Sequence, residues 1–263
     1  MSAQTWHYGV IATWWSEFNL DGGDELDYFG RFVADGQPAL EVACGTGRLL
    51  IPWLHAGYDV DGADISPDML RLCRERAVRE GLPAPDLHAQ AVHELDVPRR
   101  YRTIVMCGGF GLGGDRRQDE EGLRRIKHHL EPGGTFLLDH EVPYVQANWR
   151  AWTPAGRREL PRAWPEPGER RQGSDGTEYE LRHRLVDVDP LAQRITSELR
   201  GLVWKDGELV ADETHGLKLT SYFPEEIVLL LERAGFVDVE MRGAYRDGPP
   251  TRDDEFVVFS ARA

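Results

Sequence analysis

The chain of 263 residues is long enough for one large α/β domain, or for a core domain that carries an insertion. Hydrophobic residues make up 41% and charged residues 29% of the chain, which is typical of a globular protein and argues against disorder. The formal net charge of −14 would repel a phosphate backbone, so we expect no nucleic-acid partner.

Neither a membrane span nor a secretion signal is predicted. No apolar run approaches the roughly 18 residues of a membrane helix, and the N-terminus lacks a basic region followed by an apolar one. The cysteines Cys44, Cys73 and Cys107 form no CxxC pair and are odd in number, which argues against a disulfide framework and a cysteine-based zinc site. We therefore expect a cytoplasmic protein in a reducing compartment.

Two helices are predicted at about 6–18 and 24–33, where they would cap the carboxyl edge of a sheet. From residue 38 to about 140, apolar runs typical of buried strands alternate with helical patterns. The predicted strands are 39–43, 59–65, 87–92, 103–107 and 135–139, and the helices between them are about 47–55, 67–80 and 118–130. Strands joined by helices in this order favour right-handed crossovers. The predicted fold class is therefore α/β, with a doubly wound and mostly parallel sheet.

The pattern changes after residue 140, where a segment rich in proline and tryptophan leads into alternating residues. Asp189-Pro190 and Asp206-Gly207 mark turns between strands. We expect a three-stranded antiparallel insertion with strands at 179–185, 195–205 and 209–219. A helix at about 224–234 follows, and the strands 237–241 and 256–261 complete the main sheet.

A glycine-rich turn follows the first predicted strand, with the sequence Glu41-Val42-Ala43-Cys44-Gly45-Thr46-Gly47-Arg48. Gly45 and Gly47 allow the backbone to turn sharply and approach a ligand, and the next helix offers free N–H groups to an anion. Open parallel sheets bind ligands at this edge. Asp64 ends the second strand, where a carboxylate can accept both hydroxyls of a ribose, so the ligand is predicted to be a nucleoside.

The residue at the position of the third glycine in the dinucleotide-binding motif argues against a dinucleotide as the ligand. A G-x-G-x-x-G fingerprint brings the pyrophosphate onto the helix, whereas this chain has Leu50 where the third glycine would stand. NAD and FAD are therefore disfavoured.

At these residues the sequence resembles the class I S-adenosylmethionine (SAM) dependent methyltransferases, whose first motif is an acid followed by a glycine-rich loop. The resemblance covers about residues 36–140 and 220–263 and extends through the segments 64–70, 130–134 and 230–236. It implies a Rossmann-like doubly wound sheet of seven strands, mostly parallel with the last strand antiparallel. It also implies N-terminal helices, the three-stranded antiparallel insertion, and SAM as the cofactor.

The resemblance also assigns cofactor contacts to individual residues. The methionine end of SAM would be held by Glu41 and by the backbone of Ala43, Cys44, Gly45, Thr46 and Gly47. Asp64 would take the ribose, Ile65 and Met69 the adenine faces, and Gln90, Ala91 and Val92 the adenine edge. Apart from the resemblance, His7 and Tyr8 in the N-terminal helix could close over SAM or be structural, and we expect Cys107 to contact the cofactor. Ala43 stands where the family often has glycine, and Gln90 where it usually has an acid. Ile65 and Met69 could equally be plain core residues.

Methyl transfer from a sulfonium is an in-line displacement, so the enzyme need only align the acceptor and exclude water. A base is required only where the acceptor must lose a proton. The catalytic candidates are His140 and Glu141, which follow the fifth strand, and His7 in the N-terminal helix; each could instead be structural. His215, Tyr222 and Tyr245 are weaker candidates. We expect no metal, since no further ligands beside Asp139, His140 and Glu141 can be identified.

Two further segments bear on the acceptor. The loop 107–114 lacks the N/D-P-P-Y sequence of nucleic-acid amino methyltransferases, and its glycines either admit a substrate or form a flexible connection. The insertion resembles that of small-molecule N-methyltransferases acting on amino sugars and on glycine, in which it covers the acceptor site and often forms a dimer surface. An aromatic acceptor or ordinary core packing would explain Trp14, Trp15, Phe18, Trp149, Trp152 and Trp164.

We therefore expect a SAM-dependent methyltransferase, with S-adenosyl-L-homocysteine as product, that acts on N, O or C of a small-molecule acceptor in specialised metabolism, with a homodimer as a further possibility. Two alternatives stay open: a SAM-binding regulatory or partner subunit without turnover, and a nucleotide-dependent oxidoreductase. The predicted organisation is an N-terminal helical cap at 1–35, a SAM-binding core at 36–140, a substrate lid at 141–220 and the end of the core sheet at 221–263.

Overall fold

A computed structural model of the protein describes residues 5–147 and 149–263. The helices in these ranges are α1 (Gly9–Phe18), α2 (Gly23–Asp35), α3 (Leu50–His55), α4 (Pro67–Arg79), α5 (Arg116–His129), α6 (Pro143–Gln146), α7 (Trp149–Trp152), α8 (Pro154–Arg157) and α9 (Pro224–Arg233). The strands are β1 (Ala39–Val42), β2 (Val60–Asp64), β3 (Leu87–Ala89), β4 (Tyr101–Met106), β5 (Leu130–Glu141), β6 (Arg171–Gln172), β7 (Glu178–Asp189), β8 (Arg194–Lys205), β9 (Glu208–Thr220), β10 (Val237–Gly243) and β11 (Phe256–Arg262). None of these helices is long and apolar enough to cross a membrane.

The main sheet has seven strands in the order β10–β11–β5–β4–β1–β2–β3. Strands β3, β2, β1, β4 and β5 pair in parallel, whereas β11 runs antiparallel to both of its neighbours. Order and directions confirm the predicted fold class, including the antiparallel last strand.

Helices cover both faces of this sheet. On one face, Ile104 and Leu138 pack against residues of α5 and α9 such as Leu123 and Leu231. On the other face, buried residues of α2, α3 and α4 pack against Val105, Leu137 and Val258. Because both faces are covered, β1 is buried along its whole length, which explains its apolar sequence.

The two N-terminal helices have different places. At the carboxyl edge of the sheet, the N–H of Gly9 at the start of α1 donates to Asp68 at the start of α4 (2.9 Å). The prediction that α2 also caps this edge is wrong. Phe29 and Val33 are fully buried on the sheet face, and the carbonyl of Phe32 lies 3.4 Å from the hydroxyl of Thr103 near the amino end of β4.

The insertion is an antiparallel sheet in the order β6–β7–β8–β9. It has the three predicted long strands and a fourth, the two-residue β6, which pairs with Tyr179 and Glu178 of β7. Alternation over two residues leaves no periodic signal, which is why β6 was not predicted.

Candidate functional site

A cavity of about 480 Å³ lies beyond the carboxyl ends of β1, β2 and β4. Four segments form most of its wall: Thr5–His7, the glycine-rich loop 43–46, the turn 90–93 and the loop 107–114. Further residues of the wall come from α1 and the position after it, from α5 and from β9: Trp15, Asn19, Gln118, Asp119, Gly122, Leu123 and Leu217. The cavity is therefore at the sheet edge that the sequence predicts for the ligand.

The glycine-rich loop depends on a left-handed backbone at three positions. The φ angles are 58° at Ala43, 55° at Gly45 and 80° at Gly47. At Gly47 a Cβ atom would lie 2.7 Å from the thiol sulfur of Cys73, so only glycine fits there. At Gly45 no heavy atom of the described residues lies within 4 Å of an added Cβ, which leaves its backbone open to a ligand.

Cys44 lies within this loop and packs against β2. Its backbone N–H donates to the carbonyl of Ala63 (3.1 Å), and burial raises the pKa of its thiol well above the ordinary range. A thiol that stays protonated is a poor nucleophile, which agrees with its interpretation as a small packing residue.

Asp64 fastens two elements of the cavity wall. One carboxylate oxygen accepts the N–H of Gly45 (3.0 Å) and the other accepts the N–H of Ser66 (2.8 Å), at the start of α4. Burial raises the pKa of Asp64, and these two hydrogen bonds oppose the shift. Each oxygen retains a second lone pair, so a carboxylate held in this way can also accept hydroxyls of a bound ligand.

Glu41 is buried to 3% exposure at the same edge, and its Oε2 atom has no hydrogen-bond partner among residues 5–147 and 149–263. Burial raises the pKa of Glu41 to about 8, although Arg48 and the backbone N–H of Leu50 lower it. A buried oxygen without a partner is rare in a folded protein and costs free energy, so its place in the cavity wall points to a ligand that donates a hydrogen bond.

The residues predicted to contact adenine are together in the cavity wall. Ile65, Met69, Ala91 and Val92 all line it, and Met69 is almost fully buried. Gln90 also lines it, but its side-chain amide is engaged: Oε1 accepts the N–H of Asp96 (2.8 Å) and Nε2 donates to the carbonyl of Asp96 (3.2 Å). The predicted role of Gln90 at the adenine edge stays a prediction.

His7 lies in the cavity wall with both ring nitrogens engaged. Nδ1 pairs with the hydroxyl of Thr5, and Nε2 accepts the indole N–H of Trp6 (3.2 Å). Burial lowers the pKa of His7 to about 4, so the ring is neutral at physiological pH. Its carbonyl accepts the hydroxyl of Ser66 (2.5 Å), which ties the N-terminal segment to the start of α4.

Tyr8 lies next to this segment, with its ring 6.3 Å from that of His215. Burial, Asp64 and Asp68 together raise its pKa. Tyr8 is thus near the cavity wall, and its predicted contact with the cofactor stays untested.

His140 and Glu141 point to opposite faces of β5. Glu141 lines the cavity, and burial, Asp139 and Glu255 raise its pKa. His140 is buried beneath the cavity wall, with its ring 6.0 Å from those of Phe110 and Tyr222. Burial lowers the pKa of His140 to about 4, and its Nε2 has no hydrogen-bond partner in the described part of the chain. Of the three predicted catalytic residues, the structure places Glu141 and His7 in the wall and His140 behind Phe110.

Two charged residues of the cavity wall received no role from the sequence. Arg48 pairs with Glu25 and donates to the carbonyl of Gly22 (3.2 Å). Asp119, on the first turns of α5, accepts the hydroxyl of Tyr222 (2.6 Å), and burial raises its pKa to about 6. Arg48 directly follows Gly47, so its place in the cavity wall could have been predicted from the sequence. Asp119 could not have been predicted, because no local spacing links it to the glycine-rich loop.

The loop 107–114 joins the main sheet to the insertion. The carbonyl of Gly111 accepts the N–H of Thr220 (2.9 Å), and the N–H of Gly113 donates to the carbonyl of Lys218 (2.7 Å). This pairing with the end of β9 argues against a flexible connection. The loop lines the cavity, and the interpretation that its glycines admit a substrate stays a prediction. Cys107, at the start of the loop, also lines the cavity, and its contact with the cofactor stays a prediction.

The tryptophan-rich segments contribute little to the cavity. Trp15 lines it, whereas Trp14 and Phe18 pack with Tyr179 in a separate apolar cluster. The guanidinium of Arg184 lies 4.3 Å from the ring centre of Trp164. The indole N–H of Trp152 donates to the carbonyl of Ala147 (3.0 Å). Most of these aromatic residues therefore serve packing.

The comparisons with known proteins agree with this geometry. Residues 39–134 match a protein family described as a methyltransferase domain. This part of the chain is a methyltransferase domain. It contains β1 to β4 and the glycine-rich loop, and it reaches into β5. Asp64 and Glu41 both lie within it, whereas Glu141 and the insertion lie beyond the matched residues.

The chain is also similar to a curated protein, the dTDP-3-amino-3,4,6-trideoxy-alpha-D-glucopyranose N,N-dimethyltransferase of Streptomyces venezuelae. The two are 27% identical over 126 residues, which are 47% of this chain and 50% of that protein. The chain thus matches about half the length of this curated relative.

Solved structures share the fold over nearly the whole chain. A SAM-dependent methyltransferase from Clostridium acetobutylicum superposes with a TM-score of 0.69 at 17% identity, covering 96% of this chain and 97% of that one. A SAM-bound amino pentose methyltransferase from Micromonospora echinaspora gives a TM-score of 0.64 at 20% identity, covering 98% of each chain. The methyltransferase domain, the N-terminal helices and the insertion therefore form a known arrangement.

Proposed function

We propose that the protein is a SAM-dependent methyltransferase that transfers a methyl group to an amine nitrogen of a small-molecule acceptor. The observation that carries the proposal is Glu41, which lies in the cavity wall beside the glycine-rich loop of a methyltransferase domain. Its buried Oε2 atom has no hydrogen-bond partner in the part of the chain that the structure describes. An ammonium group such as that of the methionine end of SAM supplies the missing donor.

The other residues of the wall fit the same cofactor. Asp64, already fastened by two backbone N–H groups, would take the ribose, and the apolar side chains of Ile65 and Met69 would contact the adenine. Gly45, with open space beside its backbone, would allow close approach of the methionine part. When bound, SAM supplies a methyl group on a positively charged sulfur that is already activated as a leaving group.

The protein would then contribute alignment, water exclusion and a proton acceptor. Trp6, Trp15 and Phe110 give the cavity apolar walls that exclude water. A protonated amine must lose a proton before its nitrogen can attack. We assign that proton to the carboxylate of Glu141, because it lines the cavity and because partial desolvation, Asp139 and Glu255 raise its pKa, which makes it a stronger base than an unperturbed glutamate.

We prefer Glu141 to the two histidines for this step. Both ring nitrogens of His7 have partners, and His140 lies behind Phe110 rather than in the cavity wall. Burial also lowers the pKa of each ring to about 4, which weakens it as a base.

Charge supports an amine over other acceptors. Within the described ranges, the carboxylates in the cavity wall are Glu41, Asp64, Asp119 and Glu141. Arg48 is also there, but it pairs with Glu25. Because Glu41 and Asp64 are assigned to SAM, Asp119 and Glu141 are the carboxylates that would favour a cationic acceptor. The curated relative, by its name, methylates an amino sugar nitrogen, which agrees with this choice.

Calorimetric titration with SAM and S-adenosyl-L-homocysteine tests the cofactor. We expect Asp64→Ala to weaken SAM binding about tenfold or more, because a charge-assisted contact contributes about 1.5–3 kcal/mol. Asp61→Ala is the matched control: Asp61 is a buried carboxylate on the same strand that accepts the hydroxyl of Tyr101 instead (2.8 Å). If Asp64→Ala keeps its affinity within about twofold, the ribose assignment is wrong.

Turnover on a panel of small amines, alcohols and phenols, followed by formation of S-adenosyl-L-homocysteine, tests the reaction. Methylated amines would support the proposal, and products methylated only on oxygen or carbon would overturn the choice of acceptor atom. SAM binding without any turnover would favour the regulatory subunit. Binding of a nicotinamide cofactor in place of SAM would favour the oxidoreductase.

A further inference from the structure

A buried polar cluster lies directly behind the cavity wall at the carboxyl end of β5. Its centre is Asp139, which is 8% exposed. One carboxylate oxygen of Asp139 accepts the N–H of Gly108 (2.5 Å), and the other accepts the hydroxyl of Tyr245 and the thiol of Cys107 (3.4 Å). Asp139 is not among the described residues that line the cavity, whereas Asp64 is, and its oxygens bind groups of the protein, so we take Asp139 to be a structural anchor.

Tyr245 reaches this cluster from the segment between β10 and β11, which is distant in sequence. Its backbone has a φ angle of 42°, a left-handed conformation that is unfavourable for a side chain of this size. The ring packs against Phe256 (4.8 Å between ring centres), Phe29 (5.7 Å) and Tyr28 (5.9 Å). These three neighbouring rings hold the ring of Tyr245 in place, so its hydroxyl points at Asp139.

The peptide that Asp139 holds lies where two loops of the cavity meet. Gly108 and Cys107 line the cavity, and a Cβ atom on the next residue, Gly109, would lie 2.7 Å from the Cβ of Ala43 in the glycine-rich loop. A small tilt of the Gly108 peptide would therefore move the contact between the loop 107–114 and the loop that we propose holds SAM.

Further charged groups surround the cluster. The guanidinium of Arg48 donates to the sulfur of Cys107 (3.5 Å) and pairs with Glu25. Glu141 follows Asp139 by two residues on the same strand, and its pKa is raised in part by Asp139. The cluster thus borders both the glycine-rich loop and the carboxylate to which we assign the proton.

We propose that Tyr245, acting through Asp139, is a positioning residue for methyl transfer that fixes the Gly108 peptide in the cavity wall. This inference rests on the proposed function, because it takes the cavity to be the place of transfer. Alignment contributes strongly to a displacement reaction, and a displacement of about 1 Å of a positioning element can cost about a hundredfold in rate. The hydroxyl of Tyr245 touches neither cofactor nor acceptor, so its removal should affect alignment and not binding.

The chain offers a matched pair of variants. Tyr245→Phe removes the hydroxyl that donates to Asp139. Tyr28→Phe removes a buried hydroxyl from the neighbouring ring, and that hydroxyl interacts with Arg242 rather than with Asp139. The two substitutions delete the same atom from adjacent rings, so a difference between them reports the contact with Asp139.

The first measurement uses the ligand-free protein. We expect amide hydrogen exchange at Gly108 to be about tenfold faster or more in Tyr245→Phe than in the wild type, and unchanged in Tyr28→Phe, because only the first variant releases Asp139. Equal exchange at Gly108 in all three proteins would overturn the inference. This readout requires neither SAM nor turnover, so it separates failure of the inference from failure of the proposed function.

The second measurement is steady-state kinetics with the best acceptor from the panel. We expect Tyr245→Phe to lower kcat about fivefold or more while the KM for the acceptor and the Kd for SAM stay within about twofold. Asp139→Asn should add little to Tyr245→Phe if the two residues act as a unit. A rise in KM or Kd with an unchanged kcat, or full additivity of the two substitutions, would overturn the positioning role.

Discussion

Glu41 and Asp64 are buried carboxylates of one cavity, but the protein holds them in different ways. Both oxygens of Asp64 accept backbone N–H groups, and these hydrogen bonds stabilise the ionised form against burial. Glu41 keeps an oxygen without a partner in the described ranges, and desolvation raises its pKa to about 8. In the ligand-free protein near neutral pH, Glu41 therefore carries a proton for much of the time.

The raised pKa of Glu41 leads to a prediction of how the stability of the folded protein changes with pH. A carboxyl group whose pKa rises from 4.5 in the unfolded chain to about 8 in the folded one binds protons more tightly in the folded state. The contribution of Glu41 to the free energy of unfolding is fully present below pH 4.5 and is lost as the pH rises toward and through 8. Glu41→Gln cannot ionise, so we expect its melting temperature to fall less than that of the wild type over this range.

Thermal melts of the two ligand-free proteins across the range check this expectation. Other buried groups, such as Asp64 and Asp139, titrate in both proteins, so the difference between the two curves isolates Glu41. Parallel curves would show that Glu41 is already ionised in the folded protein, contrary to the assignment.

Among the structural elements, the loop 107–114 is the one that holds the insertion to the main sheet. Gly111 has a φ angle of 82°, and a Cβ atom there would lie 2.5 Å from the carbonyl oxygen of Thr220. Gly111→Ala would therefore combine backbone strain with a clash that separates the loop from β9. We expect it to lose about 1 kcal/mol or more of the free energy of unfolding beyond the cost of backbone strain alone.

Gly57→Ala is the matched control, because it measures the cost of backbone strain alone. Gly57 has a φ angle of 79°, and no heavy atom of the described residues lies within 4 Å of an added Cβ atom. Urea denaturation of both variants, compared at a common m-value, gives the difference. Equal losses in the two variants would mean that the pairing of Gly111 with β9 contributes nothing measurable to stability.

The same loop shows where sequence analysis reaches its limit. Periodicity predicted the strands and helices of the main sheet, because each buried element carries its own apolar pattern. The turn of Ala43, Gly45 and Gly47 was likewise readable, since its residues are contiguous. The pairing of Gly111 with Thr220 was not, because it joins residues more than 100 positions apart and depends on how the insertion packs.

The same limit applies to the candidate site, where residues in contiguous motifs could be predicted and residues from distant elements could not. Most of the cofactor residues predicted from the glycine-rich loop line one cavity with Asp64 and the segment 90–92, whereas Gly47 does not line it. The predicted His140 does not, since alternation along β5 sends Glu141 to the cavity and His140 to the opposite face. Asp119 and Tyr245 were missed or undervalued, because each reaches the site from an element that no local motif connects to it.

At the scale of the whole molecule, the net charge of −14 and the acidic cavity wall act in the same direction. Both raise the local concentration of cations and repel anions. An acceptor that carries a free amine would be attracted, whereas an acceptor linked to a nucleoside diphosphate would be repelled. The curated relative acts, by its name, on a dTDP-linked amino sugar, so the charge of the natural acceptor is a point on which this protein can differ from it.

The dependence of kcat/KM on salt decides between these acceptors. Salt screens charges, so we expect kcat/KM for a cationic amine to fall several-fold between about 0.02 M and about 0.3 M salt. A neutral acceptor of the same size should show little change, which controls for effects of salt on the protein itself. For a nucleotide-linked amine the dependence reverses, and kcat/KM rises with salt because screening weakens the repulsion. If the nucleotide-linked amine is nevertheless the better acceptor at low salt, a local contact overrides the net charge, and the preference for acceptors without phosphate is wrong.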